Sequence, residues 1–544
     1  MKVRCLSLLF GVLLTPVIAS AQVLATIVGT VTDPSKAAVP GVSITVSNPA
    51  KGFTHNYVSN SAGEYTAARL PLGDYIVTAE AAGFERLVQK GITLDAGQTL
   101  RVDLQLTVGT AIQEITVQGN LPKVETETGA ISGVITSSQV SELSIQARNF
   151  ANLALLIPGA APIGGGFDPN TIGDIASDTL PVDGLPGNMN NWEIDGINNV
   201  DQGSGSDSLQ VYPSLESIAE FRISTSNYSA EFAKSGAAMI EVVTKSGTRE
   251  FHGSLFEFLR NDKLDANNWF LNRQIAPPGG NAPKQPIKHN DFGFTVGGPF
   301  YIPGHYNTSK QKTFFFVSEE WRRNREGTVL SAGVPSRRER QGDFSECDPS
   351  SSNYNAVVAS GCQLPTNPAT GKTFVGDIVP VDPTAATLLS SLVPLANNGL
   401  VGYTKAPNLP TDFREDTIRV DQNITDKSRL FVRFTQEAFA QQYIPTLWTS
   451  AQFATVKTPL NIPEKNMVAN LTISFRPNLM NEFIVGYSAD VWKGSSVVGV
   501  DSPSGSILRP AGFVSPTIFP AASLGPLLPG VAVSGGGPSF AEDT

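Results

Sequence analysis

Charge is scarce in this chain: Asp, Glu, Lys and Arg make up 16% of its 544 residues, and the balance is acidic, −10 at neutral pH. Binding nucleic acid needs clustered cations to neutralise phosphates. No long Lys/Arg run is present, so no nucleic-acid partner is expected. Cysteine is scarcer still, with three residues and no CxxC pair, and only four histidines (His55, His252, His289 and His305) could complete a zinc site. Beyond the first residues no apolar run approaches the roughly 20 residues of a membrane helix. That leaves barrels open, because a barrel strand needs only about 10 residues of alternating character. Motifs for catalysis are missing as well. There is no H-E-x-x-H and no G-x-S-x-G, and Thr370-Gly371-Lys372-Thr373 lacks the glycine a phosphate loop needs five residues before Gly371, where Thr366 stands. Asp195 and Asp201 lie in Gly- and Asn-rich loops of the kind that serve turns. No catalytic residue, cofactor or metal ligand is therefore assigned, and the chain is not read as an enzyme.

Glycine (50) and proline (38) are plentiful, as suits a turn-rich β protein, and the length suggests two to four domains. Residues 1–21 have the parts of a secretory signal: Lys2 and Arg4, an apolar run from Leu6 to Leu14, and Ala19-Ser20-Ala21 before Gln22. Cleavage is expected between Ala21 and Gln22, and Cys5 leaves with the signal. Cys347 and Cys362 then remain on either side of a polar stretch, where an exported protein can keep a disulfide as a local staple.

From Ala25 to Leu106 short β-runs alternate with turns: Thr26–Thr32, Val42–Ser47, Gly63–Ala67, Tyr75–Glu80 and Leu100–Leu106. Val42, Ile44 and Val46 share one face, the expected core face of a half-buried strand. The ordered motifs Gly29-Thr30-Val31-Thr32-Asp33, Val39-Pro40-Gly41-Val42, Ser61-Ala62-Gly63-Glu64-Tyr65, Leu72-Gly73-Asp74-Tyr75 and Ala82-Gly83-Phe84 resemble the carboxypeptidase-regulatory-like domain, a carbohydrate-binding-like sandwich. Ala37-Ala38 departs from the glycine often seen in its first turn. The resemblance implies residues 22–107 as an accessory sandwich without zinc ligands, serving as a spacer or as a glycan- or protein-binding module.

Residues 108–120 form a linker containing the extended stretch Ile112-Gln113-Glu114-Ile115-Thr116-Val117. It resembles a TonB box, which would pair with the energy-coupling protein TonB by strand addition. A last strand of the sandwich is nearly as good a reading of the same residues. Residues 121–247 resemble the plug domain of TonB-dependent receptors. A short helix is expected at Ser137–Leu143 and further helical turns at Arg148–Ile157, ended by Pro158. Phe221–Phe232 is a long match within that plug, and Ala238–Gly247, running on into Phe251–Phe258, looks like the plug-to-barrel junction of the Oar-like branch of these receptors. Arg260–Ala266 and Arg340-Gln341-Gly342-Asp343-Phe344-Ser345 fit that branch too.

Residues 248–544 read as barrel independently of any family. Met467, Ala469, Leu471, Ile473 and Phe475 alternate with Val468, Asn470, Thr472 and Ser474, and the run turns at Arg476–Leu479 into Phe483, Val485, Tyr487 and Ala489. A second hairpin joins Ile418–Asp421 to Arg429–Phe434 through Asn423–Lys427. Connections outside the hairpins, Asn324–Asp416 and Gln436–Glu464, read as long loops, and short turns at one end with long loops at the other describe an outer-membrane barrel. Phe314-Phe315-Phe316 are expected to pack against lipid, with Trp321 in the interfacial girdle.

The resulting fold class is mainly β: an N-terminal sandwich, an α+β plug and an incomplete antiparallel transmembrane barrel. The resemblance implies a TonB-dependent receptor of the Gram-negative outer membrane, with TonB, outer-membrane lipid and an extracellular ligand (a glycan or a peptide) as partners. Too few strands for the roughly 22 of such a transporter, and no terminal aromatic at Thr544, lead us to expect a fragment or truncated product. The alternative is a non-enzymatic surface or periplasmic carbohydrate-binding protein using the first sandwich.

Overall fold

The computed structural model describes residues 24–109, 114–118, 127–143, 145, 148–161, 180–201, 209–229, 232, 236–275, 282, 284–327, 329–444, 453, 456–476, 479–491, 493–494 and 498–499. The expected signal segment, with Ala21 and Gln22, lies outside these residues, as do Ile112 and Gln113.

Two sheets face each other in the first domain. One is ordered β4 (Glu64–Leu70), β1 (Ala25–Thr32), β7 (Thr99–Arg101), with β8 (Leu104–Gln105) also on β1; the other runs β3 (Phe53–Val58), β2 (Ser43–Asn48), β5 (Gly73–Glu80), β6 (Arg86–Leu94), β9 (Glu114–Gln118). Alternation puts Ile27, Ile44, Val46, Tyr65, Tyr75, Val77 and Leu94 in one apolar core. Its two tyrosines keep their hydroxyls satisfied on the backbone: Tyr65 donates to the Val102 carbonyl (2.7 Å) and Tyr75 to that of Pro71 (2.5 Å). Strands β3 and β6 had no counterpart in the sequence reading.

The middle unit is a five-stranded sheet, ordered β10 (Ile131–Thr136), β13 (Ile218–Ser226), β14 (Met239–Thr244), β11 (Asn191–Ile194), β12 (Ile197–Asn198). A helix, Ser137–Glu142, starts in a capping box between Thr136 and Gln139, and a 3₁₀ turn covers Phe150–Leu156 with Asn149 as its cap. Phe150 sits at the centre of the core, edge-on to Trp192, Tyr212 and Phe221 at 5.8, 6.1 and 6.3 Å between ring centres.

The third unit is a long antiparallel sheet in the order β15 (His252–Asn261), β16 (Ile287–Pro299), β17 (Thr313–Glu326), β20 (Leu409–Thr425), β21 (Ser428–Tyr443), β22 (Val456–Arg476), β23 (Leu479–Asp490). Its polarity is the reverse of a soluble sheet. Met467, Phe475, Phe483, Val485 and Tyr487 point outward and exposed, whereas Asn466, Asn470 and Ser474 point inward and are buried. An apolar outer belt with a polar inner face is what lipid outside and a hydrated or occupied lumen inside require.

Two expectations need correcting. Phe314 and Phe316 face inward, at 2% and 0% exposure, and only Phe315 and Trp321 lie on the outer face, because strand alternation splits the aromatic run. Trp321 stacks on Phe292 at 5.5 Å there, with the Arg414 guanidinium above its ring. Gln436–Glu464 is mostly strand, since β21 and β22 extend well past the apolar belt with polar residues on both faces. The other long connection is a true loop. It carries its own hairpin, β18 (Leu330–Gly333) with β19 (Gly402–Lys405), and a helix, Pro383–Leu392, whose Leu389 carbonyl, with those of the following Val393 and Pro394, accepts from Arg340.

Candidate functional site

The middle sheet packs against the inner face of the long sheet, and alternation decides which side chains meet it. Pairing of β17, β20, β21 and β22 sets Glu320 opposite Glu415, Glu415 opposite Glu437, and Glu437 opposite Glu464. Four wholly buried glutamates thus form a row across four neighbouring strands. Carboxylates side by side repel unless donors are supplied. The middle unit supplies several: the Ser214 N–H donates to Glu415 and its hydroxyl to Glu320, and the Tyr212 N–H donates to Glu437 Oε1 at 2.6 Å. Within the long sheet Arg322 Nε donates to Glu320 (2.6 Å) and Thr417 to Glu415 (2.7 Å).

Arg148 reinforces this row from the middle unit. Its guanidinium lies 3.8 Å from Glu320 and 3.9 Å from Glu216, and it covers the rings of Phe256 and Phe258 at 4.8 and 4.2 Å. Burial pulls its pKa down, and the Glu320 carboxylate opposes that shift.

A second cluster has the opposite polarity. The turn between β11 and β12 holds Asp195 (φ 51°) and Gly196 (φ 84°) in the left-handed region, which aspartate tolerates and glycine favours. The turn delivers a carboxylate with no exposure into the long sheet's inner face. Asp195 Oδ1 accepts from the Thr244 N–H (3.0 Å) and Arg419 (3.2 Å); Oδ2 accepts from the Thr244 hydroxyl (2.7 Å) and Arg433 Nε (2.7 Å). Arg419 is also paired with Asp421, and Arg433 donates to Asn466 Oδ1 and the Ile194 carbonyl. One aspartate of the middle unit is therefore clamped by two guanidiniums of the outer one. Beside it, Ile197 packs on Phe431, Val468 and Ile484.

The first sandwich docks at the same end as the short turns. Ala96 receives a bond from Arg222 on its carbonyl (2.6 Å) and gives one to Glu220 from its N–H (2.5 Å). Arg69 pairs with Glu482, and Asn423 donates to the Lys51 carbonyl.

The residues singled out in the sequence lie elsewhere. Glu114, Ile115, Thr116 and Val117 belong to β9, which pairs in parallel with β6, Ile115 opposite Leu87 and Val117 opposite Gln89. This strand ends its sheet and is paired on one side among the described residues. Cys347 and Cys362 form a disulfide in the long loop, with Cα atoms 5.9 Å apart and Glu339 beside Cys347. Asp195 does serve a turn, but the turn reading omitted its clamp. The glutamate row was missed entirely; the signal available was a glutamate in the inward phase of each alternating strand.

A family model described as "Outer membrane beta barrel domain" matches residues 243–544, and one described as "Carboxypeptidase regulatory-like domain" matches residues 26–107. Among curated proteins, the TonB-dependent transporter Oar of Myxococcus xanthus is 26% identical over 303 residues, which cover 54% of this chain and 26% of that protein. The chain thus spans about a quarter of the length of the curated relative it matches. Among solved structures, the outer membrane transporter YddB of Escherichia coli aligns with a TM-score of 0.41 at 11% identity, over 66% of this chain and 38% of that one. The ferric enterobactin receptor PfeA of Pseudomonas aeruginosa aligns with a TM-score of 0.32 at 9% identity, over 67% and 46%.

Proposed function

Since the chain belongs to the outer membrane beta barrel domain family and is a Gram-negative outer-membrane protein, we propose that it is the N-terminal portion of a TonB-dependent transporter. In this reading residues 121–247 are the plug, residues 248–544 begin the barrel, and residues 112–117 are the strand offered to TonB. The carrying observation is the way the middle unit is held inside the barrel wall: Asp195 between Arg419 and Arg433, and Ser214 and Tyr212 on the glutamate row.

Such a contact suits a part that must move. Part of it is apolar, since Phe413, Phe439, Leu460 and Ile462 of the wall join the core of the middle unit, but its ionic and hydrogen-bonded groups find substitutes in water when it opens. A ligand captured by the outer loops would shift the middle unit against this wall. Pull on the segment around Ile115 from the periplasm, where the short turns and the sandwich lie, would complete the release. Among the described residues no side chain selects a particular ligand.

Cysteine crosslinking in native cells tests the coupling step. With Gln118→Cys in the transporter and a cysteine scan of the TonB edge strand, a crosslink is expected, and Ile115→Pro, which removes a strand donor, should abolish it. A crosslink of undiminished yield in the Ile115→Pro variant would count against residues 112–117 as the coupling strand.

A further inference from the structure

At the short-turn end a cavity of about 840 Å³ opens between the sandwich hairpin that carries Lys51 and His55 and the barrel wall. Its lining is one-sided in charge: seven lysines and arginines and one histidine, against Asp426 alone. Three of the cations are already neutralised from behind, Arg69 by Glu482, Arg419 by Asp195 and Asp421, and Arg429 by Asp421. The other four are Lys51, whose ammonium donates to the Leu72 carbonyl at 3.0 Å, and one residue from each of three successive barrel turns, Lys312, Lys427 and Arg476. Among the described residues none of these four has a carboxylate within salt-bridge distance. Asn470, Thr472 and Ser474 add neutral hydrogen-bonding groups to the same wall.

We propose that this cavity binds a small multivalent oxyanion, bearing phosphate, sulfate or carboxylate groups, which ties the sandwich to the periplasmic mouth of the barrel. Cations from the sandwich and from the barrel wall face one space, so an anion between them replaces repulsion with shared charge-assisted bonds. Lys51 is partly buried beside these cations. Loss of hydration, with Arg429 beside it, pulls its pKa down to about 7, while Asp421 and Glu220 oppose the shift and Arg419 adds to it. His55 on the same hairpin is lowered by burial and partly restored by Asp426. A bound anion restores the charged lysine, so binding takes up a proton. The site does not depend on the transport reading, since it needs only the docked sandwich.

The test is calorimetric titration of the full chain, extracted in neutral detergent, with myo-inositol hexasulfate, a polyanion whose charge is constant with pH. Saturable binding is expected at pH 6.5, weakened about tenfold or more by Lys427→Gln with Arg476→Gln, two exposed side chains that hold no bond among the described residues. Between pH 6.5 and 8.5 the affinity should fall roughly tenfold as Lys51 loses its proton, and Lys51→Gln should flatten that profile. Absence of saturable binding, or binding that the double variant leaves unchanged, would overturn the assignment.

Discussion

Replacing Asp195 with alanine removes the one carboxylate that two buried guanidiniums of the barrel wall share with the middle unit. Breaking a buried pair by deleting one partner costs about 3–5 kcal/mol, mostly because a charge is left uncompensated. Here the lower end applies. Arg419 keeps Asp421 and Arg433 keeps Asn466 and the Ile194 carbonyl, so neither is stranded. About 3 kcal/mol corresponds to roughly 150-fold in the equilibrium between docked and displaced middle unit. Hydrogen exchange on detergent-solubilised protein reads this directly at the Thr244 amide, which donates to Asp195, and at the neighbouring β11 and β14 amides. Protection there should fall by about two decades in Asp195→Ala and by less in Asp195→Asn, which keeps an acceptor for Thr244. Arg433→Met should cost less in the alanine background than alone, since the pair is already broken. Protection within threefold of the unaltered protein in Asp195→Ala would refute the clamp.

Val420 lies on the outer belt, and Val420→Arg should destabilise the barrel by about 2–4 kcal/mol, measured as a lowered urea midpoint in lipid vesicles. Gly247 lies where the chain passes from the middle unit to the barrel, and an added Cβ would stand 2.3 Å from the Phe315 carbonyl oxygen; Gly247→Val should lower the yield of the heat-modifiable folded band. Because the Lys51 pKa is depressed in the docked state, the detached or unfolded sandwich binds more protons between about pH 7 and 10.5, and docking should strengthen as pH rises through that window. Denaturant titration at pH 6.5 and 9.5 checks the sign, and Lys51→Met should remove most of the difference.

Local pattern carried the reading wherever one face of a strand was uniform. Val42, Ile44 and Val46 announce a half-buried strand, and Met467 to Phe475 announce a lipid-facing one. Strand Phe53–Val58 escaped notice because it is an edge strand in which Tyr57 alone is buried, and Arg86–Leu94 because Gly91, at φ 78°, breaks its period. In Phe314–Phe316 three consecutive aromatics hid the alternation. The glutamate row could not be read at all from spacing. Glu320, Glu415, Glu437 and Glu464 are far apart in the chain and meet only through strand register, which sequence pattern leaves undetermined.

The clamp on Asp195 also bears on how the wall avoids assembling wrongly. A slip of one residue in β20 or β21 would turn Arg419 or Arg433 from the lumen into the apolar belt formed by Ile418, Val420, Val432 and Phe434. Misregistered barrels are thus penalised by charge in hydrocarbon before any middle unit is docked, and the side chains that later hold that unit first act as a checkpoint on the fidelity of folding.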